Sequence, residues 1–135
     1  LKKKKLVDFD PEAPFFRKVI PGLNFEGTCC QGENLVCFPV GYNDNKTELI
    51  EDMCQTVQCL HCDNTRHKTI TNCILWDCKV IITGKPEGSK NVLRHDFEAQ
   101  DEQAVSFIDN PVIKWKELKI TVLYSKNQKP LCVIV

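Results

Sequence analysis

The hydrophobic and polar positions of this chain follow the two-residue period of β-strands more often than the period of a helix. Residues 118–124 alternate regularly, which indicates a strand with one buried face. Residues 79–83 form a β-branched run, and residues 131–135 return as a strand after a polar turn at 126–130. The pattern therefore predicts a C-terminal hairpin. It predicts no helix of ordinary length, only one helical turn near residues 47–53.

The N-terminal half contains three further predicted strands, separated by turn residues. Residues 15–20 form an entering strand that ends at a proline–glycine turn, and residues 23–27 alternate apolar and polar positions. Residues 35–40 form a short apolar strand in which Pro39 indicates a sheet edge, because proline donates no backbone hydrogen bond. Together these patterns predict a mainly β domain of the small α+β class.

Length and composition fit one globular domain. Of 135 residues, 42% are hydrophobic and 27% charged, so the chain has enough apolar side chains for a core. We divide it into a basic terminal segment or linker at residues 1–14 and a single cysteine-rich β domain at residues 15–135.

No targeting or membrane segment is visible in the sequence. No apolar run approaches the length of about 20 residues that a membrane helix needs, and no secretory signal is present. We therefore expect an intracellular, cytoplasmic location. Because the sequence begins with Leu1 rather than Met, we expect a fragment, a processed chain or an isolated domain.

The charge balance weakens a general role in nucleic-acid binding. The 18 basic and 18 acidic residues give a formal net charge of zero, whereas nucleic-acid-binding proteins usually carry a basic footprint. The basic residues are concentrated in an N-terminal lysine block, for which a solvated terminus is the simpler explanation, and in a short segment after residue 65. The candidates for contact with RNA or another anionic surface are Lys2, Lys3, Lys4, Lys5, Arg66 and Lys68.

Nine cysteines are several times the ordinary number, and eight of them lie between Cys29 and Cys78. Such clustering indicates a local cross-link, either disulfide bonds in an oxidising compartment or a metal site in a reducing one. The odd total and the absence of a secretory signal argue against a complete disulfide set. We therefore favour a metal site, with a disulfide framework and buried free thiols as the alternatives.

The strongest metal-binding motif is the knuckle Cys59-Leu60-His61-Cys62. Its C-x2-C spacing lets two thiolates of one tight turn reach the same Zn2+ at about 2.3 Å. A thioredoxin-type redox motif has the same spacing but opens a helix, whereas the polar residues that follow Cys62 predict a turn. The sequence thus predicts a zinc-stapled β domain with Cys59 and Cys62 as two of the ligands.

Spacing alone leaves the other two ligands open. Cys30 and Cys37 form a C-x6-C pair, and Cys73 and Cys78 form a C-x4-C pair, so either pair can complete four sulfur ligands. His61 is a weak candidate, because a ring inside a knuckle usually points away from the metal. His67 is a better candidate for a nitrogen ligand, although a surface histidine is the simpler interpretation.

Motifs for enzymatic chemistry are absent from the sequence. It contains no glycine-rich phosphate loop, no G-x-S-x-G nucleophile elbow and no zinc-deaminase signature. The acidic stretch at residues 96–102 has the composition of a solvated loop or helix face. A zinc ion with four cysteine ligands also has no open coordination position for a substrate. We therefore predict a non-catalytic domain.

Several segments resemble a cysteine-rich zinc-binding domain of protist proteins, which is often found beside ubiquitin-like domains. The likeness covers about residues 17–122, and Trp115 begins a segment that resembles the closing strand of that family. The matching segments are residues 19–27, a cysteine at position 29 or 30, Cys37, the knuckle, residues 71–78 and Gly84.

The resemblance implies a ligand set and an association with ubiquitin-like modules. The implied zinc ligands are Cys30, Cys37, Cys59 and Cys62, with Cys73 and Cys78 as a second or alternative pair. Our first hypothesis for the function is a zinc-stabilised protein-interaction or scaffold module with a protein partner. The alternatives are a secreted disulfide-rich binding domain and a subunit of a large assembly that contacts RNA or another anionic surface. A RING-type ubiquitin ligase is a minor alternative, because only one C-x2-C pair is present.

Overall fold

The computed structural model describes residues 2–43, 47–62, 68–99, 104–109, 115–124 and 133–135. A short 3-10 turn at Phe15–Arg17 and a seven-residue helix accompany the strands. In chain order the elements are β1 (Lys2–Val7), β2 (Lys18–Val19), β3 (Gly22–Thr28), β4 (Val36–Gly41), β5 (Glu48–Leu49), α1 (Ile50–Thr56), β6 (Thr69–Trp76), β7 (Cys78–Pro86), β8 (Leu93–Ala99), β9 (Ala104–Asp109), β10 (Trp115–Tyr124) and β11 (Val133–Ile134).

The strands form two large antiparallel sheets and one small one. The first sheet has the order β1-β9-β6-β3-β4, the second has the order β5-β10-β7-β8, and β11 pairs with β2. The prediction of a mainly β domain is therefore confirmed. β4 lies at an edge of the first sheet, as Pro39 predicts.

The centre of the first sheet, around β3, is buried on both of its faces. One face packs against the second sheet, where Phe25 and Leu75 share a core with Val80 and Ile120. The other face carries a smaller cluster around Trp76. This double burial explains why six successive residues of β3, from Gly22 to Gly27, are buried instead of alternating with exposed ones.

The predicted C-terminal hairpin is not formed among the described strands. β10 pairs with β7 along one side, and β11 pairs with β2, so that Val133 lies opposite Val19. On its other side β10 pairs with β5 at Lys119 and Ile120. The predicted turn at 126–130 lies outside the described residues.

Asn43 binds β10 next to β5, and its hydrogen bonds explain why no hairpin partner pairs with β10 there. Its side-chain amide donates to Ile120 O at 3.0 Å, and its carboxamide oxygen accepts from Val122 N at 2.8 Å. Its backbone N–H also donates to Val122 O at 3.3 Å. Asn43 thus satisfies the backbone groups that a returning hairpin strand would need.

Three other segments differ from their expected local structure. Residues 15–17 form a 3-10 turn instead of the start of a strand, with the Arg17 N–H bonded to Pro14 O at 2.9 Å. The acidic stretch begins inside β8, a strand, instead of a loop or helix. The lysine block lies in β1, which pairs with β9 from Lys2 to Val7. No helix in the described ranges is both long and apolar enough to cross a membrane.

Candidate metal centre

Four cysteine sulfur atoms converge at one end of the first sheet. The Sγ atoms of Cys29, Cys30, Cys59 and Cys62 all lie within 4.8 Å of one another. We call this group the four-thiol cluster. The cluster joins the segment that follows β3 to the turn that follows α1.

The end of β3 positions the first two thiols. A register shift between Glu26 and Gly27 interrupts its pairing with β6. A Cβ atom at position 27 would lie 1.8 Å from Thr69 O, so only glycine permits this close approach of the two strands. The chain then leaves the sheet at Thr28 and enters a turn that carries Cys29 and Cys30.

The end of α1 positions the other two thiols. The helix ends where the N–H of Val57 donates to Met53 O at 3.1 Å. Three residues without regular secondary structure follow, and the knuckle turn begins. Cys59 is fully buried in the main core, Cys62 is half-buried and Cys30 is exposed. The cluster therefore spans the distance from the core to the surface.

The sulfur separations fit a tetrahedral metal better than disulfide bonds. Cys29 Sγ lies 3.1 Å from Cys62 Sγ, and Cys30 Sγ lies 3.5 Å from Cys59 Sγ. A disulfide bond is about 2.05 Å long. A tetrahedral zinc with bonds of about 2.3 Å places its sulfur ligands about 3.8 Å apart. The observed sulfur separations bracket this value, and no disulfide bond joins any two of the eight cysteines that the structure describes.

The knuckle has the hydrogen bonding that supports a thiolate. The backbone N–H of His61 donates to Cys59 Sγ at 3.4 Å, which stabilises negative charge on that sulfur. The ring of His61 packs edge-on against Phe15 and Phe16, with centroid distances of 5.9 and 6.4 Å. His61 therefore contributes its backbone to the cluster and its ring to an aromatic contact.

The electrostatics of the cluster favour neutral thiols until a cation is present. Burial, together with the neighbouring Cys62 and Cys59 sulfurs, raises the pKa of Cys29 to about 12. Desolvation and the same two neighbours raise the pKa of Cys30 to about 11. A second thiolate is unfavourable beside a first, whereas a bound divalent cation stabilises all four. The arrangement thus has the donor set of a metal site.

Cys37 does not belong to the four-thiol cluster, in contrast to the ligand set that the resemblance implied. In β4, Val36 and Phe38 face the main core, so the alternation of the strand directs Cys37 to the opposite face of the sheet. There it packs in the smaller core cluster with Trp76, and burial raises its pKa to about 11.

The other candidate pair also lies away from the cluster. Cys73 and Cys78 are buried in the main core on β6 and β7, and burial raises the pKa of Cys78 to about 12. They do not join the group of sulfurs. Cys54 of α1 packs against the same core but is likewise not part of the group.

Cys29 is the ligand candidate that spacing did not select. The sequence shows Cys29 and Cys30 side by side, and the ligand set implied by the resemblance contained only Cys30. In the structure both sulfurs enter the cluster. The adjacent pair was the available signal, because a turn after a strand can direct two successive side chains toward the same point.

The structure describes only some of the candidates for anion contact. Lys68 donates from Nζ to Gln55 O at 3.3 Å. The lysines at positions 2–5 lie along β1, and Arg66 lies outside the described residues.

Comparison of the chain with protein-family models, with curated proteins and with solved structures gives no significant match.

Proposed function

We propose that this chain is a non-catalytic module whose fold is stabilised by one structural zinc ion bound to the four-thiol cluster. The observation that carries the proposal is the approach of four Sγ atoms to within 4.8 Å of one another. Four thiolates in this arrangement are the donor set of structural zinc sites, and soft sulfur ligands select zinc over magnesium or calcium.

The role of such a zinc ion is to cross-link two distant parts of the chain. Cys30 and Cys59 are 29 positions apart, and the segment between them contains β4, β5 and α1. With four protein ligands the metal has no open position for water or substrate. This closed donor set is the reason for proposing a structural centre instead of a catalytic one.

The proposed interaction role rests on the surface beside the knuckle. Leu60 and Phe15 are each 63% exposed, although both are large apolar side chains. Leu60 also borders an open groove of about 310 Å³ between β4 and α1, which Pro39, Val40 and Met53 help to line. The groove is lined by both apolar and polar side chains, and exposed apolar side chains beside such a groove suit a protein partner. The ubiquitin-related setting is proposed from the sequence resemblance alone.

Metal analysis of the purified protein tests the zinc proposal. We expect one zinc per chain after purification under reducing conditions, and none after dialysis against a strong chelator. Substitution with Co2+ is expected to give the absorption bands of tetrahedral thiolate coordination.

A matched pair of variants identifies the ligands. Cys30→Ser is expected to weaken zinc binding and to alter the cobalt spectrum, whereas Cys54→Ser, a half-buried thiol of α1 outside the cluster, is expected to change neither. A metal-free protein in which mass spectrometry finds Cys29–Cys62 and Cys30–Cys59 disulfides would support a disulfide-stabilised domain instead.

A further inference from the structure

Four strands form the outer edges of the two large sheets: β1 and β4 in the first, β5 and β8 in the second. An open edge can pair with a strand from another molecule, and proteins usually protect it with charged side chains, above all lysine, with proline or with shortness. β1 contains four successive lysines, β4 contains Pro39, and β5 has two residues. β8 is longer than β5 and contains neither lysine nor proline, and its three charged residues are of mixed sign, so that a strand with the complementary charge order can still pair with it.

β8 is also a regular strand. It pairs with β7 from Leu93 to Ala99 without a register shift. In the part of the chain that the structure describes, no strand is hydrogen-bonded to its outer side. Every second residue of β8 therefore directs its backbone N–H and C=O groups away from the sheet, where another strand can bind them.

The core-facing side of β8 is only partly covered. Phe97 lies opposite Val80 of β7, whose side chain is fully buried, but Phe97 itself is only half-buried. Leu93, on the same side, is 41% exposed. A strand added next to β8 would cover these apolar side chains.

The other side of β8 carries alternating charge. Arg94 forms a bidentate ion pair with Asp96 of its own strand. Nε donates to Asp96 Oδ1 at 2.8 Å, and Nη2 donates to Oδ2 at 2.9 Å. Both side chains are well exposed, and Glu98 follows on the same side. This order of one basic and two acidic residues limits which strand can pair here without repulsion.

A second copy of β8 satisfies the charge pattern in one antiparallel register. When two copies pair about His95, Arg94 of each lies opposite Asp96 of the other, and Leu93 lies opposite Phe97. Pairing about Asp96 would place Arg94 of each copy opposite Glu98 of the other, but it would also place two aspartates opposite each other. Pairing about Arg94 would place two arginines opposite each other. Pairing about Phe97 would oppose Asp96 to Glu98. Like charges directly opposite one another are destabilising, so the His95-centred register is favoured.

We propose that β8 is a self-association edge through which two copies of this chain pair antiparallel about His95. Pairing joins the two four-stranded second sheets into one continuous sheet of eight strands. It places two arginines and two aspartates in one alternating cluster across the two-fold axis. The metal centre is not part of this interface, so the inference is independent of the proposed zinc site.

Charge exchange across the interface tests the proposal. Sedimentation equilibrium of the full chain under reducing conditions is compared for the wild type, Arg94→Asp, Asp96→Arg and an equimolar mixture of the two variants. We expect each single variant to weaken dimerisation at least about tenfold, equivalent to about 1.4 kcal/mol. The mixture is expected to regain dimers, because each acidic edge then faces a basic one.

Glu48→Arg is the matched control. Glu48 is exposed in β5, at the edge of the second sheet opposite to β8, so we expect the dimerisation of this variant to resemble that of the wild type. Circular dichroism and zinc content are expected to be the same for all variants, because Arg94 and Asp96 are solvent-exposed. A wild type that stays monomeric up to about 1 mM overturns the proposal, as do variants that dimerise like the wild type. A mixture without dimers, or a Glu48→Arg variant as weak as Arg94→Asp, overturns it as well.

Discussion

Replacement of Cys59 by serine separates the two roles that this residue has in the structure. Cys59 is fully buried in the main core, and its sulfur is also part of the four-thiol cluster. Cys59→Ser therefore removes one metal ligand and introduces a hydroxyl in an apolar site. These effects can be distinguished because only the first depends on metal.

The expected magnitudes follow from the same two roles. Structural zinc contributes about 10–16 kcal/mol of binding free energy, which is comparable with the whole stability of about 5–15 kcal/mol of an ordinary domain. Loss of one of four ligands should therefore cost more than about 4 kcal/mol in excess zinc. In chelator the ligand role disappears, and only the cost of a buried hydroxyl, about 1–3 kcal/mol, should separate the variant from the wild type.

Urea unfolding at pH 7 with excess zinc and with chelator measures this difference for the wild type, Cys59→Ser and two controls. Cys54→Ser, which changes a half-buried thiol outside the cluster, should lower the free energy of unfolding by the same small amount in both conditions. Cys30→Ser should cost several kcal/mol in zinc and close to nothing in chelator, because Cys30 is exposed. The Cys30→Ser variant also provides the test if the Cys59→Ser variant does not fold.

The reasoning is refuted if Cys59→Ser and Cys30→Ser destabilise the protein equally with zinc and with chelator. Their effects would then be independent of metal, and the cluster would be a group of packed thiols. A wild type whose unfolding midpoint is the same in zinc and in chelator leads to the same conclusion.

Two further predictions concern the core outside the metal centre. Asn43→Ala should lower the free energy of unfolding by about 2–5 kcal/mol in urea titrations, because it leaves two buried backbone groups of β10 unpaired, whereas Asn34→Ala on the surface should cost less than about 1 kcal/mol. Alkaline pH should destabilise the protein, because burial raises the pKa of Cys78 to about 12 from the value of 9.0 of an unperturbed thiol. This stability contribution is complete below about pH 9. Above it the unfolded chain releases the Cys78 proton and the folded one does not, so stability falls by about 1.4 kcal/mol per pH unit. Between pH 9 and 10.5, the free energy of unfolding of Cys78→Ala should therefore fall less steeply with pH than that of the wild type, by about this amount.

The sequence predicts local structure best where one physical effect dominates. The alternation at residues 118–124 marks a strand because one face must be buried, and β10 is found there. Pro39 predicts an edge because it lacks a donor, and β4 is an edge strand. The partner of a strand depends instead on distant residues. The alternation in β10 does not show that Asn43, 77 positions from Ile120, occupies the edge on which a hairpin would form.

The metal ligands, like the strand partners, could be predicted from the sequence only in part. The C-x2-C spacing brings Cys59 and Cys62 into the cluster, since two thiols of one tight turn are necessarily close. The separation of Cys30 and Cys37 along the chain looks equally local, but Cys37 lies within β4, on the face of the sheet that is turned away from the main core. The face on which Cys37 lies depends on the register of β4 with β3, where Cys37 is opposite Glu26. A shift of one residue would have directed its thiol to the other face.

Metal loss should affect one segment of this fold before the rest. α1 has seven residues, no side-chain N-cap and a single buried residue, Met53, so it is too short to be stable alone. The four-thiol cluster fixes the end of α1 to the end of β3, whereas β6, β7 and β10 are each paired with a strand on both sides. Hydrogen exchange in chelator should therefore accelerate at least about tenfold in α1 and the knuckle, with little change at Ile74 or Ile82 in the sheets. Uniform acceleration in both sheets would mean that the metal stabilises the whole domain as one cooperative unit. Unchanged exchange in α1 would mean that the cluster does not fix the helix at all.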